Sequence, residues 1–296
     1  MGGHGHGHGH GHTHDHIDWA DRIPDLRKAD ELNIAAYEEI ANRLTGDMPE
    51  GSVVVDVGAG AGGMSAALAA ALESRGGGRL VLVDAVPELL TVAAEVASGR
   101  DRVEVATVRS DVATERLRAL VPPARLIWAA MMLHHLPDQQ AGVSSFVEAL
   151  APGGVLAIVE GGLETECLPW DLGIGVPGLE RRLLAARDAW FIDMRASIEG
   201  NARMPYGWTT ALSRAGLTDV GSFSVVVDHP APPAAPVREY VLARTAQLIE
   251  TVGERLDEQD RETARRILDQ DDEAYLGHRD DLFMLGVRTI HCGRKP

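Results

Sequence analysis

Four acidic side chains and a pair of histidines follow short apolar runs in this chain. Asp56 follows Val53 to Val55, Asp84 closes Leu80 to Val83, Asp111 comes just after Val103 to Val108, and Glu160 ends Val155 to Val159. His134 and His135 come shortly after Leu126 to Ala130. Carboxylates gathered at one edge can hold hydroxyls or a cation, and an imidazole can take a proton near neutral pH as a general base. The histidine rings could equally serve only to bond the backbone. Behind Asp56 stand Gly58, Gly60, Gly62 and Gly63, ahead of an alanine-rich segment. Glycines in such a turn let backbone N–H groups approach a ligand closely, with a helix N-terminus behind them. Gly58, Gly60 and Gly63 also satisfy the dinucleotide fingerprint, with Asp84 as its ribose acid, so an NAD(P)-dependent oxidoreductase is one reading.

These groups need a scaffold that brings strand ends together. The pattern predicts strands at about Val53 to Val57, Leu80 to Val83, Val103 to Val108, Leu126 to Ala130 and Val155 to Val159. Helices are expected between them, at about Gly63 to Ser74, Glu88 to Ala97 and Gln139 to Leu150. Strands alternating with helices imply an α/β, doubly wound, mostly parallel sheet whose ligands bind beyond the carboxyl ends of the strands. Two more strands, Val220 to Val227 and Phe283 to Ile290, bring the sheet to seven. A helix over Lys28 to Leu44, with Leu32, Ala36, Ile40 and Leu44 on one face, precedes the first strand.

Composition narrows the partners. The 296 residues hold 44 Asp and Glu against 28 Lys and Arg, a net charge of −16. That balance argues against binding nucleic acid or an anionic membrane surface, which needs clustered cations. Cys167 and Cys292 suggest neither a disulfide framework nor a cysteine-rich zinc site, as expected of a cytoplasmic protein. No apolar run approaches the ~20 residues of a membrane span.

The segment D-V-G-A-G-A-G-G from Asp56 resembles motif I of the class I S-adenosylmethionine-dependent methyltransferases. There an acid stands two residues before the first glycine, where nicotinamide-binding sequences usually carry an apolar residue. VLVDAVPELL resembles the family's second strand, SDVAT its adenine-side acid, LIWAAMMLHHLPD its fourth-strand motif, and LAPGGVLAIVEGG its turn and fifth strand. The resemblance runs over about Val53 to Gly161. It implies S-adenosyl-L-methionine as cofactor, held by Asp56, Gly58, Ala59, Gly60, Gly62, Asp84, Ala85, Asp111, Val112, Ala130 and Met131. Within it Asp56 sits near the methionine end, Asp84 takes the ribose hydroxyls, Asp111 lies near the adenine amine and Val112 beside the ring. His134, His135 and Glu160 are the candidate catalytic residues. The reaction asks little beyond alignment and water exclusion, and positioning can supply up to about 7–11 kcal/mol.

The chain departs from the minimal family pattern in its last third. About fifty residues, Asp228 to Leu282, separate the last two strands, and a long segment from Gly162 to Pro205 follows the fifth. A helix over Val237 to Leu268, with Leu248, Val252 and Leu256 inward, should join that segment in a helical cap. Trp170 and Trp190 are then candidates for the substrate wall. An enclosed pocket favours a small-molecule acceptor, methylated at oxygen or nitrogen, such as a specialised metabolite; a homodimer is possible.

The expected divisions are a disordered His/Gly-rich tail (1–16), an N-terminal helical cap (17–50), a cofactor-binding core (51–162), and the rest of the sheet with the substrate cap (163–296). Seven of the twelve histidines lie in the tail: His4, His6, His8, His10, His12, His14 and His16. They could bind a metal, so a non-enzymatic metal-binding protein is the second alternative; no metal is expected in the active site.

Overall fold

The alternation read in the strands separates two buried faces. In the computed structural model, which describes residues 19–296, β1 (Ser52–Val57) sends Val54 to one core cluster and Val55 and Val57 to the other. β2 (Gly78–Asp84) splits Leu80 and Leu82 from Val81 and Val83 in the same way. β4 (Ala124–Ala130) splits Leu126 and Trp128 from Ile127 and Ala129, and β5 (Leu150–Val159) splits Ala157 and Val159 from Leu156 and Ile158. A strand buried on both sides carries apolar residues at every position, and such strands belong in a parallel sheet covered by helices on both faces.

The seven strands lie in the order β3-β2-β1-β4-β5-β7-β6, with β3 at Val103–Arg109, β6 at Thr218–His229 and β7 at Met284–Arg294. The first five pair in parallel, and β7 runs antiparallel to both β5 and β6. The first face is covered by α1 (Trp19–Thr45), α2 (Gly63–Ser74) and α3 (Pro87–Ala97). On the second lie the short α4 (Leu117–Leu120), α5 (Gln139–Ala149) and α7 (Trp208–Arg214). Asp138 caps α5 by accepting the Ala141 N–H at 2.9 Å, as a short carboxylate at an N-cap should.

Three expectations about helices need correction. α1 begins at Trp19, nine residues before Lys28, and runs through Pro24. Proline costs that helix one backbone bond, while the added turns bring Trp19 and Leu26 onto a cavity wall. The single helix over Val237 to Leu268 is two: α8 (Ala235–Val252) and α9 (Glu258–Leu268), separated by a short 3-10 turn, Gly253–Arg255. Asp257 starts the second by accepting the Asp260 N–H at 2.8 Å. Leu248, Val252 and Leu256 are buried as expected. Finally, Leu150 opens β5 rather than closing α5.

After β5 the chain forms α6 (Leu179–Ser197), which packs on α8; α8 in turn packs on α1. Among the described residues no helix is long and apolar enough to cross a membrane. The histidine-rich tail lies outside the described residues.

Candidate active site

Strand register decides which acid faces which side. Asp56 shares the face of Val54, buried against α2, and its carboxylate accepts the Ser65 hydroxyl at 2.6 Å. Burial pushes Asp56 up to about 7, aided by the negative charges of Asp84 and Asp30 and opposed by the Ser65 bond. Asp84 ends β2 and braces the glycine turn: its carboxylate accepts the Gly60 N–H at 3.2 Å and the Val86 N–H at 3.0 Å.

The glycines of that turn have separate jobs. Gly60, at φ +56, would point a side chain into open space, and it lines the cavities described below. Gly62, at φ +90, would drive a Cβ to within 2.6 Å of the Ala93 backbone, so it serves the packing of α2 on α3. Of the eleven residues expected around the cofactor, Gly62 alone lines neither cavity. Gly63 is pressed against Asp30 of α1, whose carboxylate accepts its N–H at 2.9 Å.

Two cavities meet along this edge. One, of about 300 Å³, is walled by Asp84, Ala85, Ser110, Asp111 and Val112, with Trp19 and Leu26 of α1 above. The other, of about 200 Å³, is walled by Asp30, Tyr37, Asp56, Ala59, Gly63 and Arg288. Gly58, Gly60, Ala130, Met131 and Leu26 border both. Met131 sits at the junction, half exposed and in the left-handed region at φ 53, while its N–H donates to the Val159 carbonyl at 2.8 Å. Asp219 on β6 is the other non-glycine residue in that region among the described residues, and it lines neither cavity.

Glu160 lies on the opposite face of the sheet from Asp56, the face of Leu156 and Ile158. Its Oε1 accepts the Met132 N–H at 2.8 Å and also the Leu133 N–H, and its Oε2 meets His134 Nδ1 at 2.7 Å. Glu160 is thus the clamp of the loop after β4. Arg195 of α6 ties the same loop from outside, donating to the His134 carbonyl at 2.7 Å and the Leu136 carbonyl at 2.6 Å. His134 packs edge-on against Phe191 and beside His135, whose ring lines the larger cavity.

Trp170 and Trp190, expected in the substrate wall, line neither of these two cavities. Trp170 is 63% exposed, packs over Gly178, and has the Arg181 guanidinium 5.8 Å above its ring. The segment after β5 folds back on itself, with the Gly178 N–H bonded to the Trp170 carbonyl.

Residues 55–156 match the family described as "Methyltransferase domain". The chain carries a class I methyltransferase domain. Its donor is S-adenosylmethionine, which excludes the nicotinamide reading of the glycine turn. The domain's strand order, with antiparallel β7, is the class I topology. Among solved structures, the chain resembles phosphoethanolamine N-methyltransferase 2 of Haemonchus contortus, solved with S-adenosyl-L-methionine (16% identity, 95% of this chain and 61% of that one covered, TM-score 0.49). It also resembles the N-methyltransferase NodS of Bradyrhizobium japonicum (14%, 96% and 90%, 0.41) and the [4+2]-cyclase SpnF (17%, 88% and 81%, 0.44). All three scores lie below 0.5, so no acceptor transfers to this methyltransferase from them. No curated protein sequence matches the chain.

The cavities fit the donor by their own chemistry. With the donor bound, Asp84 and Asp111 would be the acceptors for ribose hydroxyls and an adenine amine, Val112 and Ala113 an apolar wall, and the Asp56–Asp30 end would favour a cation. When bound, the donor supplies a methyl group activated by its sulfonium.

Reading the sequence missed Asp30, Tyr37 and Arg288. The first two had a signal: Leu26, Asp30, Asn33, Tyr37 and Ile40 recur at helical spacing along one face of α1, a line of three polar residues between apolar ones. Arg288 had none, because its place depends on the pairing of β7 with β6.

Proposed function

We propose that this methyltransferase transfers the methyl group to oxygen or nitrogen of a small molecule. The observation that carries the reading is the roof: α1 walls both cavities through Trp19, Leu26, Asp30 and Tyr37, and α8 packs behind it. With the donor in the two cavities, an acceptor reaches the methyl group only through what these helices leave open, and a roofed cleft suits a small molecule rather than a macromolecular surface. The net charge of −16 speaks in the same direction against nucleic acid.

The chain's residues divide the work by position. Asp84 and Asp111 hold the nucleoside end, Gly58 and Gly60 give the backbone of the floor, and Met131 stands beside the point of transfer. Glu160 serves as a positioning residue, since its carboxylate is taken up by two backbone N–H groups and the His134 ring. With Glu160 as the acceptor, the hydrogen of His134 is on Nδ1 and its Nε2 keeps the lone pair, which is the tautomer a general base needs. The test is incubation with S-adenosylmethionine and a panel of small hydroxyl and amine compounds, reading S-adenosylhomocysteine and a methyl mass gain together. Products of that mass from the panel are expected; methylation only of protein or nucleic acid added as controls would overturn the reading.

A further inference from the structure

We propose that Arg288, set in place by Asn33 of α1, is the anchor for the α-carboxylate at the methionine end of the donor. The proposal rests on the donor assignment above and adds a residue that no motif of the domain contains.

Register brings Arg288 to the site. On β7, Met284 and Ile290 belong to the core cluster on the α1 face, and Arg288 shares their parity. Ile158 of β5 pairs with His291, so Arg288 lies three residues further along the antiparallel strand, beyond the carboxyl end of β5. It therefore reaches the edge and the face that Asp56 occupies, and it lines the smaller cavity with Asp30, Tyr37 and Asp56.

The charges around that cavity are sorted. Among the described residues that line either cavity, Arg288 is the one lysine or arginine, against Asp30, Asp56, Asp84 and Asp111. Its Nε and Nη2 donate to a single neutral acceptor, Asn33 Oδ1, at 3.2 and 3.1 Å, and it makes no ion pair among the described residues. Asn33 is 1% exposed and is itself fixed, with Nδ2 donating to the Ala29 carbonyl at 2.7 Å. The guanidinium is thus oriented by an amide that neutralises none of its charge, and its remaining N–H groups are available to an anion. Asp30 feels Arg288 electrostatically but spends its oxygens on the Gly63 N–H and the Tyr37 hydroxyl. A zwitterionic amino-acid group needs acids at one end and a cation at the other. The Asp56–Asp30 side and Arg288 supply both within one cavity of about 200 Å³ that adjoins the nucleoside cavity. Arginine suits the carboxylate because its planar fork can donate two parallel bonds.

Calorimetry with three ligands tests the assignment: S-adenosylhomocysteine, its decarboxylated analogue S-adenosyl-3-thiopropylamine, and 5′-methylthioadenosine, which lacks the whole amino-acid end. Wild-type protein should bind the decarboxylated analogue about 10- to 100-fold more weakly than S-adenosylhomocysteine, the scale of charge-assisted bonds. Arg288→Gln should lose a similar factor for S-adenosylhomocysteine while keeping 5′-methylthioadenosine within about twofold, which also reports an intact cleft. Arg288→Lys should recover part of the loss, and Asn33→Ala should weaken S-adenosylhomocysteine selectively. Unchanged S-adenosylhomocysteine affinity in Arg288→Gln, or equal losses for all three ligands, would overturn the proposal while leaving the donor assignment standing. If the variants do not fold, the wild-type comparison decides alone, and equal affinity for the carboxylated and decarboxylated ligands would refute it. Wild-type protein that binds none of the three would refute the donor assignment itself.

Discussion

Asp56 should make donor binding depend on pH within a narrow window. Its carboxyl is buried between Ser65 of α2 and the glycine turn, and burial pushes it up to about 7, with Asp84 on β2 and Asp30 on α1 adding negative charge nearby. Tyr37 and Arg288 line the same cavity. The unfolded chain releases this proton near 3.8, whereas the free native protein keeps it until about 7. Between those values the native state binds more protons, so this group's contribution to stability declines as pH rises. Binding has the opposite sign. The ammonium of S-adenosylhomocysteine favours the ionised carboxylate, so the ligand must displace the proton below 7, and affinity rises with pH. If only the ionised form binds well, affinity at pH 6 should be about tenfold below that at pH 8, following the fraction ionised. Burial also raises Asp30, which adds to the same trend. Calorimetry from pH 6 to 8 in buffers of different ionisation enthalpy would show both the slope and the released proton. Asp56→Asn should bind weakly and lose most of the slope. Affinity in the wild type that is flat, or that falls as pH rises, would refute the reasoning.

Other outcomes follow from single contacts. Asp84→Ala should weaken S-adenosylhomocysteine and 5′-methylthioadenosine alike, by about 1.5–3 kcal/mol, because the charged acceptor at the nucleoside end and the brace on Gly60 are lost together; unchanged affinity would remove Asp84 from the site. Glu160→Gln keeps an oxygen for the Met132 and Leu133 N–H groups but can turn an amide toward His134 Nδ1, moving the ring hydrogen to Nε2. If His134 is the base, kcat should fall about 10²–10⁴-fold with donor affinity kept, and a rate within a few-fold of wild type would show transfer by positioning alone. Gly60→Leu should block the donor cleft, whereas Gly62→Ala should lower stability by about 1–3 kcal/mol and leave binding by the folded protein intact, a contrast readable from melting curves with and without ligand. Deleting residues 1–16 should leave donor binding unchanged and remove most Ni²⁺ or Zn²⁺ binding, because Gly-His alternation offers neither an apolar face nor a catalytic geometry; lost donor affinity would tie the tail to the site.

What could be read from the sequence alone was local in origin. Strand alternation, glycine turns and helical spacing are set within a few residues, so β1 to β5, the helices α2, α3 and α5 and the acids at the strand ends were legible one after another, while the four-residue α4 was too short to show a period. The order of motifs along the chain was enough to name the donor. The long stretch after His229 was less legible, because Gly253 and Asp257 break a continuous helical pattern that spacing alone carries through. The roof of the cleft was legible only in part: the polar line Asp30, Asn33, Tyr37 lies along a helix face whose role depends on what packs against it. The function of Glu160 could not be read from its position at a strand end. Parity turns its side chain to the face away from Asp56, where two N–H groups and His134 converge on it. Arg288 depended wholly on tertiary structure. Antiparallel pairing of β7 beside β5 carries it to within reach of a helix 255 residues earlier, and no local pattern encodes a contact whose partners are joined only by the folded sheet.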